Sequence, residues 1–300
     1  MNELRAIVEE AAPVVEPSGP YTLEGELGRG AQGVVWAARD VAQRRVAVKR
    51  LEVALVSEAE LRTQVAQLRA RAHPGLVALH EVAHLDGALH LVMEHVDGDD
   101  FVTHMRRDAV VSASTAPHLP LAFGQVLRAM GSSAFAPITP AGIARLRDAL
   151  VKLADALDAL HELGFVHRDL HPANVRITAD GRVVVLDVGT LPHIGDANDP
   201  ARVVGPVSHA APELGEELTL APACDWYAVG VLLFEALTGD LPFSGSGRDT
   251  FVRKQTVSAP SPSLLVRGIP DDLDALCNAL LATSPRLRAT GAEVRTAMRG

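Results

Sequence analysis

Between Tyr21 and about Val96, β-branched and aliphatic residues come in short runs broken by glycine and polar positions. Val34-Val35-Trp36, Val46-Ala47-Val48 and Leu89-His90-Leu91-Val92-Met93 are the clearest predicted strands. One helix interrupts them, from about Ser57 to Arg71. Ser57 caps it, with Glu60 three positions on as its capping-box partner. From about Ala144 the period changes. Leu146, Leu150, Leu153, Leu157 and Leu160 recur at steps of four and three and mark one helical face. Gly164 stops that helix. Two short strands, over 175–178 and 182–186, are joined by the turn signal Ala179-Asp180-Gly181. After an irregular stretch over 189–220, helical patterning returns in 224–237, 271–282 and 291–299. The pattern predicts an α+β chain: a small β-rich lobe, then a larger helical one.

Residues 1–20 carry Pro13, Pro17, Ser18, Gly19 and Pro20 and read as a tail or linker. Residues 108–142 are rich in Ala, Ser and Pro. They read as a surface insertion, either without regular structure or with one short helix around Leu119, Leu121, Phe123, Val126 and Leu127. The resulting division is a tail over 1–20, a small lobe with its hinge over 21–96, and a large lobe over 97–299 that carries the insertion.

Bulk composition narrows the function. With 300 residues, 48% of them hydrophobic, the chain can bury a substantial core, and with 4% aromatics that core is aliphatic. A net charge of -9 argues against nucleic-acid binding, which needs a basic surface. It does not argue against nucleotide phosphates held by a local basic group and a cation. Cys224 and Cys277 have no metal-ligand spacing and read as free thiols in a reducing compartment. The N-terminus lacks a signal layout and no apolar run is long enough for a membrane span. The expected location is therefore cytoplasmic, without membrane insertion.

Four motifs carry chemistry. Gly28-Arg29-Gly30-Ala31-Gln32-Gly33 runs into the predicted strand at Val34, not into a helix as in dinucleotide folds. Such a β-turn-β can lie over phosphates. In Val46-Ala47-Val48-Lys49, alternation sets Val46 and Val48 on one face and Lys49 on the other, where it can reach the phosphates. His167-Arg168-Asp169-Leu170-His171-Pro172-Ala173-Asn174 matches the protein-kinase catalytic loop at every fixed position. Asp187-Val188-Gly189 follows the strand Val183-Val184-Val185-Leu186 where that family has Asp-Phe-Gly. With these motifs the chain resembles the eukaryotic-like protein kinase family, of the Ser/Thr type common in bacteria.

The resemblance implies a bilobal kinase fold using ATP and Mg²⁺ on a protein substrate. It implies that Asp169 accepts the substrate's hydroxyl proton and that Asn174 and Asp187 bind Mg²⁺. Lys49, Arg168 and His171 complete the catalytic set. Leu27, Gly28, Gly30, Gly33, Val35, Ala47 and Lys49 would line the nucleotide site, with Met93 as gatekeeper and Glu94 and Val96 offering backbone groups to adenine. Ala211-Pro212-Glu213 resembles the end of the activation segment, with Arg288 as the partner of Glu213. Asp225 matches the buried residue that anchors the catalytic loop.

Four positions depart from the family. Gln64 stands where a Glu pairs with Lys49, with Glu60 one turn earlier as a substitute. His171 replaces a Lys, so its charge is expected to depend on pH near neutrality. Val188 replaces a Phe, and Pro206 a Thr whose hydroxyl contacts the catalytic Asp. The activation segment offers only Thr190 and Ser208 as hydroxyls between Asp187 and Glu213, so Asp196 or Asp199 is the candidate fixed partner of Arg168. These departures leave a nucleotide-binding pseudokinase, acting as a signalling or scaffold module, as the alternative. A small-molecule phosphotransferase is a further one, disfavoured by the Ala-Pro-Glu segment.

Overall fold

The computed structural model describes residues 19–30, 33–51, 57–109, 137–197, 205–216, 219–245 and 247–299. The first part is an antiparallel five-stranded sheet. Its strands are β1 (Thr22–Gly30), β2 (Gly33–Arg39), β3 (Arg45–Arg50), β4 (Leu79–Leu85) and β5 (Ala88–Glu94), in the spatial order β1-β2-β3-β5-β4. Helix α1 (Glu58–Ala70) lies against β4. The capping box forms: the Glu60 amide donates to Ser57 Oγ, and the Ser57 amide donates to the Glu60 carboxylate. Alternation on β3 works as the sequence indicates. Val46 and Val48 pack with Ala38, Leu85 and Val92, while Ala47 joins the main core on the other face.

The second part is helical. It holds α2 (Phe101–Arg106), α3 (Pro140–Glu162), α4 (Ala223–Thr238), α5 (Arg248–Thr256), α6 (Pro262–Leu265), α7 (Asp271–Leu280) and α8 (Gly291–Arg299). A small sheet, β6 (Asp99–Asp100), β7 (Val175–Ile177) and β8 (Val183–Val185), lies on it. α4 is buried nearly all round, and α3 buries its leucine stripe. One aliphatic core runs from Leu61 and Val65 of α1 through β8 to Leu280 of α7.

Several details differ from expectation. α3 begins at Pro140, not near Ala144, because Thr139 caps it through the Gly142 amide and proline suits the first turn. The predicted apolar helix around Leu119 to Leu127 and most of the 108–142 insertion lie outside the described residues, as does most of the 1–20 tail. α2, α5 and α6 were not anticipated, being short and weakly periodic. Both cysteines are buried and free. No helix among the described residues is long and apolar enough to cross a membrane.

Candidate active site

The loop between α3 and β7 is pinned from behind. Asp225, at the start of α4, has no exposure. Its carboxylate accepts the backbone amides of His167 and Arg168, each at 2.8 Å, and faces His161 Nε2 at 2.8 Å. Burial alone would raise its pKa, but the His161 hydrogen bond and the charges of His161 and His167 hold it below the usual carboxylate range. The anchoring expected for Asp225 is therefore present. It holds Arg168 at a φ of 66°, which a non-glycine residue adopts only under constraint.

The pinned loop presents Asp169 and Asn174. Asn174 Nδ2 donates to the Asp169 carbonyl at 2.8 Å, so the carboxamide oxygen is the atom left to a cation. The Leu186 amide donates to the Asn174 carbonyl at 2.8 Å and ties the loop to the end of β8. Asp187 follows, with a φ of 60°. Its carboxylate meets the ammonium of Lys49, 138 residues away, in an ion pair joining the two lobes. Lys49 is buried at the end of β3. Asp169 senses both partners. Burial pushes its carboxyl up to about 6, with His167 pulling it back, Asp187 adding to the rise and Lys49 opposing it.

β1, β2 and β5 roof and back this cleft. A Cβ at Gly28 or Gly30 would meet no atom within 4 Å, so the chain there borders open space. Gly33 differs: at a φ of 128° its Cβ would lie 2.0 Å from the Arg50 carbonyl oxygen, so β2 needs glycine to approach β3. Ala31 and Gln32 lie outside the described residues. Leu27 is exposed, Val35 half-buried and Ala47 buried, pairing in register with Met93 of β5. Glu94 gives its amide to the Ala78 carbonyl at 2.8 Å and its carboxylate to Arg182. Val96 is half-buried against the core.

The four departures each find a physical setting. Gln64 is buried, but its carboxamide serves Leu191: Nε2 donates to the Leu191 carbonyl at 2.5 Å and Oε1 accepts the Leu191 amide at 3.2 Å. The expected Lys49 partner is thus corrected: the ion pair of Lys49 is with Asp187, and the Glu60 carboxylate serves the helix cap. His171 Nε2 lies 3.7 Å from Asp169 Oδ1. Burial, then His209 and His167, push its imidazole down to about 4. It is neutral throughout the physiological range, so the expected charge switch near neutrality does not arise. Val188 is buried in the main core and lines a cavity of about 160 Å³ with Leu68, Leu76 and Leu79. Pro206 is exposed, and its carbonyl accepts the amides of His209 and Ala210. Gly205, not a side chain at 206, packs on the Asp169 carboxylate.

The activation-segment landmarks close the site. Arg288, whose side chain has no exposure, holds Glu213 through two nitrogens at 2.5 and 2.9 Å. Its remaining donors reach the carbonyls of Ala223, Ala282 and Thr283. The expected buried pair is present with its donors satisfied. Asp196 accepts the His193 amide in its own turn, at 2.7 Å, and Asp199 lies outside the described residues.

The donor chemistry fits Mg²⁺ with a nucleotide. Asp187 and Asn174 supply hard oxygens, and two protein ligands suit a cation that takes the rest from phosphate and water. A buried ammonium at Lys49 and open space beside Gly28 and Gly30 suit the phosphates.

A strand-roofed cleft, a loop anchored by a buried aspartate and a second loop tied to a strand lysine define a two-lobed kinase-type domain. The chain belongs to the protein kinase family, whose description, protein kinase domain, matches residues 21–298. It is similar to the serine/threonine-protein kinase PknE of Mycobacterium bovis, 30% identical over 278 residues, covering 90% of this chain and 44% of that protein. The PknE of Mycobacterium tuberculosis matches with the same identity and coverage. The serine/threonine-protein kinase PknA of Mycobacterium tuberculosis is 29% identical over 286 residues, covering 90% of this chain and 58% of that protein. The chain thus spans about half the length of the curated relatives it matches.

Three outcomes follow from this geometry. Glu213→Gln leaves a buried guanidinium without its counter-charge and costs about 3–5 kcal/mol in chemical denaturation, and adding Arg288→Met recovers part of that loss. An unchanged midpoint would show that the pair is inert. Gln64→Glu removes the donor to the Leu191 carbonyl and sets a carboxylate against it, lowering stability by about 1–3 kcal/mol. Equal stability would show that the Leu191 contact carries no energy. Asp169 has a raised folded pKa, so its stabilising share is complete below about pH 4 and lost as pH rises through about 6. Asp169→Asn should therefore exceed the wild type in stability by on the order of 1–3 kcal/mol at about pH 8, with the difference vanishing near pH 4. Denaturation curves across that range decide it.

Proposed function

We propose that the chain acts as a Ser/Thr protein kinase, transferring the γ-phosphate of ATP to protein hydroxyls. The observation that carries this reading is the convergence of Lys49, Asp187 and Asp169, from three separate elements, in one cleft between the lobes. The similar mycobacterial proteins, serine/threonine-protein kinases PknE and PknA, support the Ser/Thr class.

Bound Mg²⁺–ATP supplies the phosphoryl group and the charge that neutralises its oxygens. Asp187 and Asn174 would hold the cation, and Lys49 would hold the phosphates. Gly28, Gly30 and Gly33 let the backbone lie over them. Leu27, Val35, Ala47 and Met93 enclose the base, and Glu94 and Val96 offer it backbone groups. Asp169 accepts the proton of the incoming hydroxyl. Its pKa of about 6 keeps it ionised, and so basic, at neutral pH. His171, neutral beside it, serves as a hydrogen-bonding group where a lysine would bring charge. Arg168 contributes through the backbone turn that aims Asp169. The remaining work is positioning and charge neutralisation, which this set provides. The lobe boundary falls after Val96, and the buried free thiols of Cys224 and Cys277 support a reducing, cytoplasmic setting.

Transfer from labelled ATP to the protein itself or to a generic polypeptide tests the reading. Asp169→Asn should lose transfer by about 10²–10⁴-fold yet keep its thermal stabilisation by ATP with Mg²⁺. Equal transfer by both proteins would defeat the assignment. Nucleotide-dependent stabilisation of the wild type without turnover would establish the pseudokinase alternative instead.

A further inference from the structure

Residues 205–211 form an irregular segment that begins at the proposed base. A Cβ on Gly205 would sit 1.7 Å from Asp169 Oδ1, so this backbone lies directly on the carboxylate. Gly205 and Pro206 are exposed. A polypeptide that brings a hydroxyl to Asp169 must therefore run alongside this stretch. Its conformation is set from the inner side, where three of its carbonyls converge on one atom. Lys254 Nζ, from α5, donates to Val207 O at 2.7 Å, Ser208 O at 2.8 Å and Ala210 O at 2.7 Å.

Lys254 is 1% exposed, an unusual place for an ammonium. Burial lowers its pKa to about 7, with Glu213 acting in the opposite direction. Three carbonyl dipoles match its three protons one for one, and Nζ lies 5.2 Å from the centre of the Tyr227 ring, whose face attracts a cation. Gln255 beside it reaches the Pro212 carbonyl at 3.2 Å and Glu216 at 3.1 Å. α5 thus grips the segment through several donors, of which Lys254 alone draws three carbonyls to one point.

We propose that Lys254 is a positioning residue for the polypeptide substrate, fixing residues 205–211 so that their outer edge receives the chain whose hydroxyl reaches Asp169. The inference rests on the kinase reading above. Arginine cannot replace Lys254, because a planar fork does not bring three divergent acceptors to one centre.

The test uses the full chain, with casein as polypeptide substrate and steady-state transfer measured against casein and then against Mg²⁺–ATP. Lys254→Met removes the donors at similar volume. Its kcat/KM for casein should fall by about tenfold to a hundredfold, while KM for ATP stays within about twofold. Unchanged casein kinetics, or a KM for ATP that rises by as much as the casein kcat/KM falls, would overturn the proposal. If Lys254→Met does not fold, Lys254→Gln keeps part of the donor set and is measured in the same way, with the same two outcomes against. A wild type that transfers phosphate to no polypeptide removes the kinase reading and this one with it. An active wild type matched by its variant removes this one alone.

Discussion

The site depends on a carboxylate that touches no solvent. Burying Asp225 would be costly if its oxygens went unpaired. Here two backbone amides and a histidine satisfy them. In return the loop is held in a shape it would not adopt by itself, with Arg168 in left-handed backbone. From that fixed turn a series of short bonds runs forward. Asn174 holds the Asp169 carbonyl, Leu186 holds Asn174, and Asp187 at the end of that strand meets Lys49. α4 is thus linked to the small lobe by a run of hydrogen bonds to backbone groups and one ion pair.

The segment after Asp187 is held at both ends by different chemistry. At its start, Gln64 exchanges two hydrogen bonds with the backbone of Leu191. That contact couples α1 to the segment without net charge, so salt affects it little. At its end, Arg288 and Lys254 gather Glu213 and a set of carbonyls in the core of the large lobe. These are buried donors, whose acceptors must all be present for the burial to be tolerated. The segment is thus held by a neutral contact to α1 at one end and by Arg288 and Lys254 in the large lobe at the other.

Much of this was legible before folding. The leucine stripe of α3 and the β-branched runs of β2, β3 and β5 are strongly periodic, and each formed. The loop letters around Asp169 and Asp187 placed both residues in the cleft. Glu213 with Arg288, and Asp225 with the loop, were found as expected. What could not be read depends on neighbours distant in sequence. Gln64 faces the Leu191 backbone while Lys49 pairs with Asp187, an arrangement no local pattern records. The neutrality of His171 comes from burial beside His167 and His209. α5 is polar along most of its length, with Val252 exposed, so no local pattern distinguishes Lys254 from a solvated lysine. Its signal exists only in the convergence of three carbonyls.

The electrostatics of the cleft bear on why a cation belongs there. The chain as a whole is acidic, which disfavours a polyphosphate on approach. Within the cleft Asp169 and Asp187 repel each other, and Lys49 offsets both. A triphosphate arriving without metal would add its charge to two carboxylates already in tension. A dication, which Asp187 and Asn174 would hold, would offset that charge. The Lys49–Asp187 ion pair thus lines the two groups up across the cleft, beside the place where a cation and phosphates would sit.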